Sequence, residues 1–232
     1  MEGQNSYTLV CLAPRWTAGA RVVDGVDQVT PTTMPDRLMH PGSTGAAERV
    51  SPCTTLVFEP VLPEDGVQGT ISARRFHRCM LALERIDAAS VPLPFLLAGA
   101  VCAPGPAPGV LISFDEARST VLTVASDILV QAGYNAVVFV ATDQIGAPGY
   151  LCADQIRVLL GMGVVVGSRG CAGEDLRELA LPVLRRELGA SRQLLRRLVG
   201  YEVRLLALPG GRADPRVMEE ARPPGSASRR TS

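Results

Sequence analysis

The chain has 232 residues with 23 basic and 23 acidic side chains, and 47% of its residues are hydrophobic. This length is enough for one domain with a large buried core. A formal net charge of zero, with a pI near 6.7, gives no reason to expect a nucleic-acid partner, and none is predicted.

The segment between Asp87 and Asp115 has no charged residue, as a membrane span would. A spanning helix must satisfy its own backbone hydrogen bonds, and proline cannot donate one. This segment contains five prolines, namely Pro92, Pro94, Pro104, Pro106 and Pro108. We therefore predict no membrane span. The apolar run Tyr7–Ala13 lacks a preceding basic segment, so no signal peptide is predicted and a cytoplasmic location is expected.

Periodicity divides the chain into three parts. Residues 1–50 show little periodicity; we assign them no role and expect part of them to be disordered. Residues 51–221 form the predicted α/β domain. The tail, residues 222–232, is polar and rich in Pro, Ser and Arg, so it is expected to be disordered.

Within residues 51–221, short apolar runs alternate with segments of helical spacing. The predicted strands are Thr54–Phe58, Val110–Phe114, Ala136–Val140, Val164–Val166 and Val203–Leu208. The predicted helices are Ser72–Ile86, Thr120–Gln131, Ala153–Leu160, Glu174–Leu188, Ser191–Val199 and Asp214–Ala221. Pro182 is expected to bend or divide its helix. Strict alternation predicts parallel strands joined by right-handed crossovers.

Polar or conformationally special residues follow four of these strands. Parallel strands present their carboxyl ends at one edge, where α/β enzymes keep their chemistry, so these residues are candidates to line a cleft. The alternative is ordinary polar βα loops. The candidates are Asp115, Glu116, Asp143, Ser168, Arg169, Pro209 and Gly210.

Several segments resemble, in chain order, the polysaccharide deacetylase family, also called the NodB-homology domain. Ile112–Glu116 (ISFDE) resembles the family's LTFDD, and Val166–Leu176 (VGSRGCAGEDL) resembles IGSHTxTHPDL. Val203–Arg212 (VRLLALPGGR) resembles VRxFAYPYGR. Weaker matches are Thr54–Val61, Ile71–Phe76, Asn135–Val140 and Gly149–Ile156. The resemblance implies a distorted parallel α/β barrel and removal of acetyl groups from N-acetylated sugars.

The resemblance also implies a set of site residues. Asp115 keeps the position of the family's general base. Glu116 stands where a metal-binding Asp is expected, while Arg169 and Gly173 replace the two metal-binding histidines. Arginine has no lone pair for a metal and glycine has no side chain. No tight site for zinc or another divalent metal, and hence no cofactor, is therefore expected. Arg169 is instead expected to extend toward Asp115 and Glu116.

Family barrels continue beyond the segment that resembles Asp214–Ala221. The resemblance therefore implies a barrel that is incomplete at its C-terminus and has one unpaired parallel edge. Natural shortening and a shifted reading frame both remain open. We expect a protein partner or residues 1–50 to cover that edge; otherwise the protein should be poorly soluble.

Three hypotheses for function follow. The lost ligands favour a pseudoenzyme that binds a carbohydrate or docks on a protein partner. The second hypothesis is a residual or divergent carbohydrate deacetylase that uses Asp115. The third is a truncated gene product with no role of its own. Glycan binding that survives a chelator would separate the first hypothesis from the second, because family hydrolysis needs the metal.

Overall fold

The sheet is built on short runs of Val, Leu, Ile and Phe that are buried on both faces, as parallel strands between two apolar layers require. The computed structural model describes residues 8–10, 16–17, 20–23, 53–58, 60–64, 70–101, 109–212 and 214–221. The predicted disordered tail lies outside the described residues, as does most of the segment 1–50.

The strands are β1 (Thr8–Val10), β2 (Trp16–Thr17), β3 (Ala20–Val23), β4 (Cys53–Phe58), β5 (Val61–Leu62), β6 (Ile71–Ser72), β7 (Ala89–Ser90), β8 (Gly109–Phe114), β9 (Ala136–Val140), β10 (Val164–Ser168) and β11 (Leu205–Ala207). The helices are α1 (Ala73–Arg85), α2 (Leu93–Leu97), α3 (Ser126–Ala132), α4 (Ala153–Leu159), α5 (Leu181–Val199) and α6 (Pro215–Ala221). A π-helical turn, Val121–Ala125, precedes α3.

The main sheet has the order β1-β11-β10-β9-β8-β4-β3-β2, and β7 also pairs with β8. Strands β4, β8, β9, β10, β11 and β1 run parallel, while β3 and β2 are antiparallel additions. The sheet forms a half-barrel with helices, so the predicted parallel α/β barrel of the deacetylase type is confirmed. Each of the five predicted strands is present; Ala136–Val140 has the predicted bounds, and the bounds of the other four differ by one or two residues.

Two apolar layers hold the sheet. On the outer face, side chains of β8, β9 and β10 pack against α1, α3, α4 and α5. On the inner face, Leu111, Val137, Phe139 and Val165 pack together with α2. Because both faces are filled, the carboxyl ends of the strands remain as the place for polar groups.

The predicted division of the helix near Pro182 is wrong. A single helix, α5, runs from Leu181 to Val199 without interruption. Pro182 lies in its first turn, where the missing N–H would have no helical acceptor, so the ring does not disturb the helix. The residues before it form a separate 3₁₀ turn, Leu176–Glu178.

The edge beyond β11 is covered by a strand of the segment 1–50, which was one of the expected covers. The outer side of β11 pairs in parallel with β1, with Thr8 opposite Leu205 and Val10 opposite Ala207.

We predict that Gly167→Ala destabilises the protein by about 1–3 kcal/mol, because it overpacks the inner layer. A Cβ at this position would lie 2.5 Å from Cδ1 of Phe139 and 3.2 Å from the carbonyl oxygen of Leu205. The matched control is Gly189→Ala in α5, where a Cβ meets nothing within 4 Å. The control should leave stability unchanged or raise it by up to about 1 kcal/mol. Urea unfolding measures both, and equal midpoints for the two variants would contradict the packing described.

Candidate functional site

The candidate site lies where β8, β9 and β10 end. Phe114 aligns with Val138, and Val138 aligns with Val166, so β9 and β10 each end two residues beyond the end of β8. We call this region the mouth and define it by three loops: residues 115–118 after β8, residues 141–143 after β9 and residues 169–173 after β10. The mouth contains the acids and the arginine that the sequence predicted would meet.

Asp115 is the first residue after β8, and only 9% of it is exposed. Arg169, the first residue after β10, donates from Nη1 to the backbone carbonyl of Asp115 at 2.9 Å. The same nitrogen lies 3.7 Å from Oε1 of Glu116. The predicted meeting of Arg169 with the acidic end of β8 is thus present as a carbonyl hydrogen bond and an ion pair.

Glu116 lies between two guanidinium groups. Its Oε2 accepts a hydrogen bond from Nε of Arg118 at 2.7 Å, and its Oε1 faces Arg169. Both oxygens of this carboxylate therefore have a cationic neighbour. The ion pairs are partly exposed, so each contributes on the order of 1 kcal/mol or less to stability. Their main effect is on the charge of the mouth.

Arg118 also packs on an aromatic ring. Its Cζ lies 4.2 Å from the ring centroid of Tyr150, and the two residues form an antiparallel bridge. Cation–π contact and the ion pair with Glu116 together fix the guanidinium. Arg118 thereby links the half-buried ring of Tyr150 to the carboxylate of Glu116.

The loop 169–173 is held from below by α5. Oε2 of Glu187 accepts from the backbone amides of Cys171 at 2.7 Å and Ala172 at 3.2 Å. From the other side, the amides of Thr142 and Asp143 donate to the carbonyls of Gly170 and Cys171. These contacts fix the loop that carries Arg169.

Two glycines allow this loop to follow its path. Gly170 has φ +81° and Gly173 has φ +75°, which other residues rarely adopt. A Cβ at Gly173 would also lie 3.2 Å from Cβ of Ala141. Any side chain at position 173 would therefore be strained in this backbone.

Cys171 does not provide an activated nucleophile. Burial raises the pKa of its thiol, and the nearby Glu187 and Asp143 carboxylates raise that pKa further against the opposing hydrogen bonds from Thr142 and the backbone. A thiol with a raised pKa is protonated at neutral pH, and the protonated form is a poor nucleophile.

The other predicted cleft residues differ in placement. Asp143 lies in the mouth with an exposed side chain. Ser168 is completely buried: its Oγ lies 3.0 Å from Oγ of Ser191 in α5 and accepts from the amide of Gly170. Its side chain thus supports the loop from inside and does not line a cleft. Pro209 is buried in the turn Pro209–Gly211 after β11, which also contains Gly210.

Three residues of the site were not predicted from the sequence. Arg118, Tyr150 and Glu187 enter it through contacts between distant segments. Arg118 stands two residues after Glu116, which is the one local feature that could have identified it. In the described part of the chain, no group of three or more His, Cys, Asp or Glu side chains is placed to hold a metal ion, and no helix is long and apolar enough to cross a membrane.

Comparisons with known proteins agree with this architecture. The family model for polysaccharide deacetylase matches residues 103–226. The deacetylase PplD of Streptococcus pyogenes, solved with acetate, superposes with a TM-score of 0.65 at 16% identity, over 72% of this chain and 77% of that one. A de-N-acetylase from Aggregatibacter actinomycetemcomitans gives 0.61 at 16% identity, over 73% and 83%. IcaB from Ammonifex degensii gives 0.59 at 19% identity, over 72% and 78%. A comparison with curated proteins found no match to this chain.

Glu187→Ala should release the loop 169–173, because the amides of Cys171 and Ala172 lose the carboxylate oxygen that accepts their hydrogen bonds. We expect a loss of about 1–3 kcal/mol in the free energy of unfolding, and faster amide exchange at Cys171 and Ala172. Glu187→Gln keeps an acceptor oxygen and should lose less. The control is Glu219→Ala, an exposed carboxylate of α6, with a change within about 0.5 kcal/mol. Unchanged exchange at Cys171 in Glu187→Ala would contradict this role.

Proposed function

Because the chain belongs to the polysaccharide deacetylase family, we propose that it is a carbohydrate-binding member in which an arginine replaces the catalytic metal. The observation that most directly supports this proposal is the position of Arg169. Its guanidinium donates to the Asp115 carbonyl at 2.9 Å and lies 3.7 Å from Oε1 of Glu116. In the family pattern, position 169 holds a metal-binding histidine. A permanent cation there repels a divalent ion electrostatically.

The side chains of the mouth do not fit a tight divalent-metal site. Asp115 and Glu116 supply oxygen atoms, but both oxygens of Glu116 already face guanidinium groups. Position 173 has no ligand atom, and its backbone disfavours any side chain. One or two carboxylates without an imidazole bind zinc weakly. We therefore derive no hydrolytic step through a metal in this chain.

The mouth retains features suited to a sugar. A sugar ring presents an apolar C–H face and a rim of hydroxyl groups, so its sites combine aromatic rings with a few placed polar groups. Tyr150 supplies a half-buried ring that stacks on Arg118, and Arg118 in turn pairs with Glu116. Asp143, in the loop after β9, adds an exposed carboxylate. These groups support binding of a neutral or N-acetylated glycan that needs no metal.

The metal proposal predicts that millimolar zinc leaves the melting temperature of the wild-type protein unchanged. Arg169→His supplies a lone pair beside Glu116, so this variant should gain a zinc-dependent rise in melting temperature. Arg169→Lys keeps the cation and serves as the matched control, with no rise. A zinc-dependent rise in the wild type that Glu116→Gln abolishes would overturn the proposal.

The glycan proposal predicts that chitin oligomers bind equally well with and without EDTA in calorimetric titration. Tyr150→Ala should weaken this binding about tenfold, equivalent to ~1.4 kcal/mol. Arg157→Ala, an exposed arginine of α4, is the control and should bind as the wild type does. Release of acetate from the oligomers, lost in Asp115→Asn and in EDTA, would instead establish the residual deacetylase hypothesis.

A further inference from the structure

Helix α5 carries a large share of the positive charge of this protein. Its 19 residues include five arginines and one glutamate, in a chain whose 23 basic and 23 acidic side chains cancel. The glutamate, Glu187, already accepts hydrogen bonds from the amides of Cys171 and Ala172 in the loop after β10. The solvent side of α5 is therefore basic, although the protein as a whole is neutral.

Two of these arginines lie on one side of the helix. Eleven residues separate Arg186 from Arg197, which corresponds to about three turns, so the two side chains leave α5 in the same direction about 16.5 Å apart. Ala190 and Gln193 lie between them on that side, and all four residues are exposed. We call these four residues the arginine stripe. Its centre is low, because Ala190 and the neighbouring Gly189 have little or no side chain, so an extended polymer can lie along it from one cation to the other.

The two cations of the stripe keep their full charge. The arginine that precedes each of them in the chain is ion-paired, Arg185 with Glu220 at 2.8 Å and Arg196 with Glu202 at 2.9 Å. Within the described residues, the two arginines of the stripe have no such partner. The nearby carboxylates are thus already occupied, and the stripe presents two positive charges to an external ligand.

One end of the stripe is concave. Gln193, Arg196, Arg197 and Gly200 line a hollow of about 320 Å³ at the C-terminal end of α5. This volume lies within the range of small-molecule sites. Leu194 stands three residues before Arg197, next to it on the helix surface, and is 45% exposed. An apolar side chain beside guanidinium and amide groups suits a sugar ring, which combines a C–H face with polar substituents.

We infer that the arginine stripe binds an anionic polysaccharide whose sugar residues carry carboxylate groups. The guanidinium fork matches a carboxylate in shape and keeps its charge at any usable pH. Two cations three turns apart fit a ligand with repeated charges, and the exposed Leu194 favours a sugar chain over an inorganic polyanion.

The stripe is separate from the mouth. Helix α5 follows β10 and precedes β11, which run parallel, so it runs back along the outer face of the sheet and ends far from the mouth. Arg197 therefore lies at the opposite end of the half-barrel from Asp115 and Glu116. The inference goes beyond the proposed function and does not rest on sugar binding in the mouth.

Calorimetric titration of the full-length protein with a galacturonate decamer tests the stripe. We expect binding at low ionic strength that weakens as sodium chloride is raised, because salt screens exposed charges. Digalacturonate is too short to contact both arginines and should bind about tenfold more weakly. Absence of decamer binding would overturn the inference, and so would tighter binding of polyphosphate or of phosphatidylglycerol vesicles.

A double variant, Arg186→Gln/Arg197→Gln, removes both cations and keeps residues that favour a helix. It should weaken decamer binding about tenfold, since each exposed ion pair contributes up to about 1 kcal/mol. The matched control is Arg74→Gln/Arg78→Gln, which removes the same charge from two exposed arginines of α1 and should bind as the wild type does. Equal weakening in the two double variants would indicate attraction by net charge alone and would refute the assignment, as would wild-type binding in both.

Two further variants guard against misfolding and against confusion with the mouth. If the α5 double variant unfolds, Arg197→Gln alone should weaken the decamer about threefold, and wild-type affinity in it would refute the stripe. Tyr150→Ala should leave decamer binding unchanged, whereas the α5 double variant should leave the binding of neutral chitin oligomers unchanged. Loss of decamer binding in Tyr150→Ala would place this ligand in the mouth and contradict the inference, whatever the chitin oligomers do.

Discussion

The alignment of β8, β9 and β10 is the constraint on which the site depends. Because Phe114, Val138 and Val166 stand side by side in register, Arg169 lies about two residues farther along the barrel than Asp115. A long, flexible side chain is needed to span that offset, and arginine can fold back over it to reach the Asp115 carbonyl. The glycines and Glu187 then hold the loop so that this reach is maintained.

In the mouth, guanidinium groups neutralise part of the negative charge of the carboxylates. Two carboxylates after β8 are neighbours in sequence, and without a counter-charge they would repel one another. Arg118 and Arg169 supply that counter-charge from two different strand ends, and Tyr150 stacks on the first of them. The loop after β10 is likewise held by a carboxylate on its amides. The fold thus presents the strand ends as a half-barrel of the family does, with two guanidinium groups beside the carboxylates after β8.

The sequence predicted the elements whose causes are local. Apolar runs located the parallel strands, and the common direction of these strands predicted that Asp115, Glu116 and Arg169 lie at one edge of the sheet. The resemblance to the family then predicted that Arg169 extends toward the two acids. The sequence did not predict the role of Glu187, because this carboxylate accepts from the amides of Cys171 and Ala172, which precede its helix in the chain.

The sequence also predicted that Ser168 lines the cleft, whereas its side chain points toward Ser191 of α5 and is buried. The next residue, Arg169, is the one that reaches the surface. Arg118 and Tyr150 meet across a bridge of distant segments, which no spacing along the chain reveals.

The pairing of Thr8 with Leu205 has a consequence for how this protein is made. The two partners are separated by nearly 200 residues, all of which must be synthesised before the contact can form. Contacts of such high sequence separation slow folding, since the entropic cost of closing the long loop comes before the stabilisation that the contact provides. Until β11 has been synthesised, β1 lacks the strand with which it pairs.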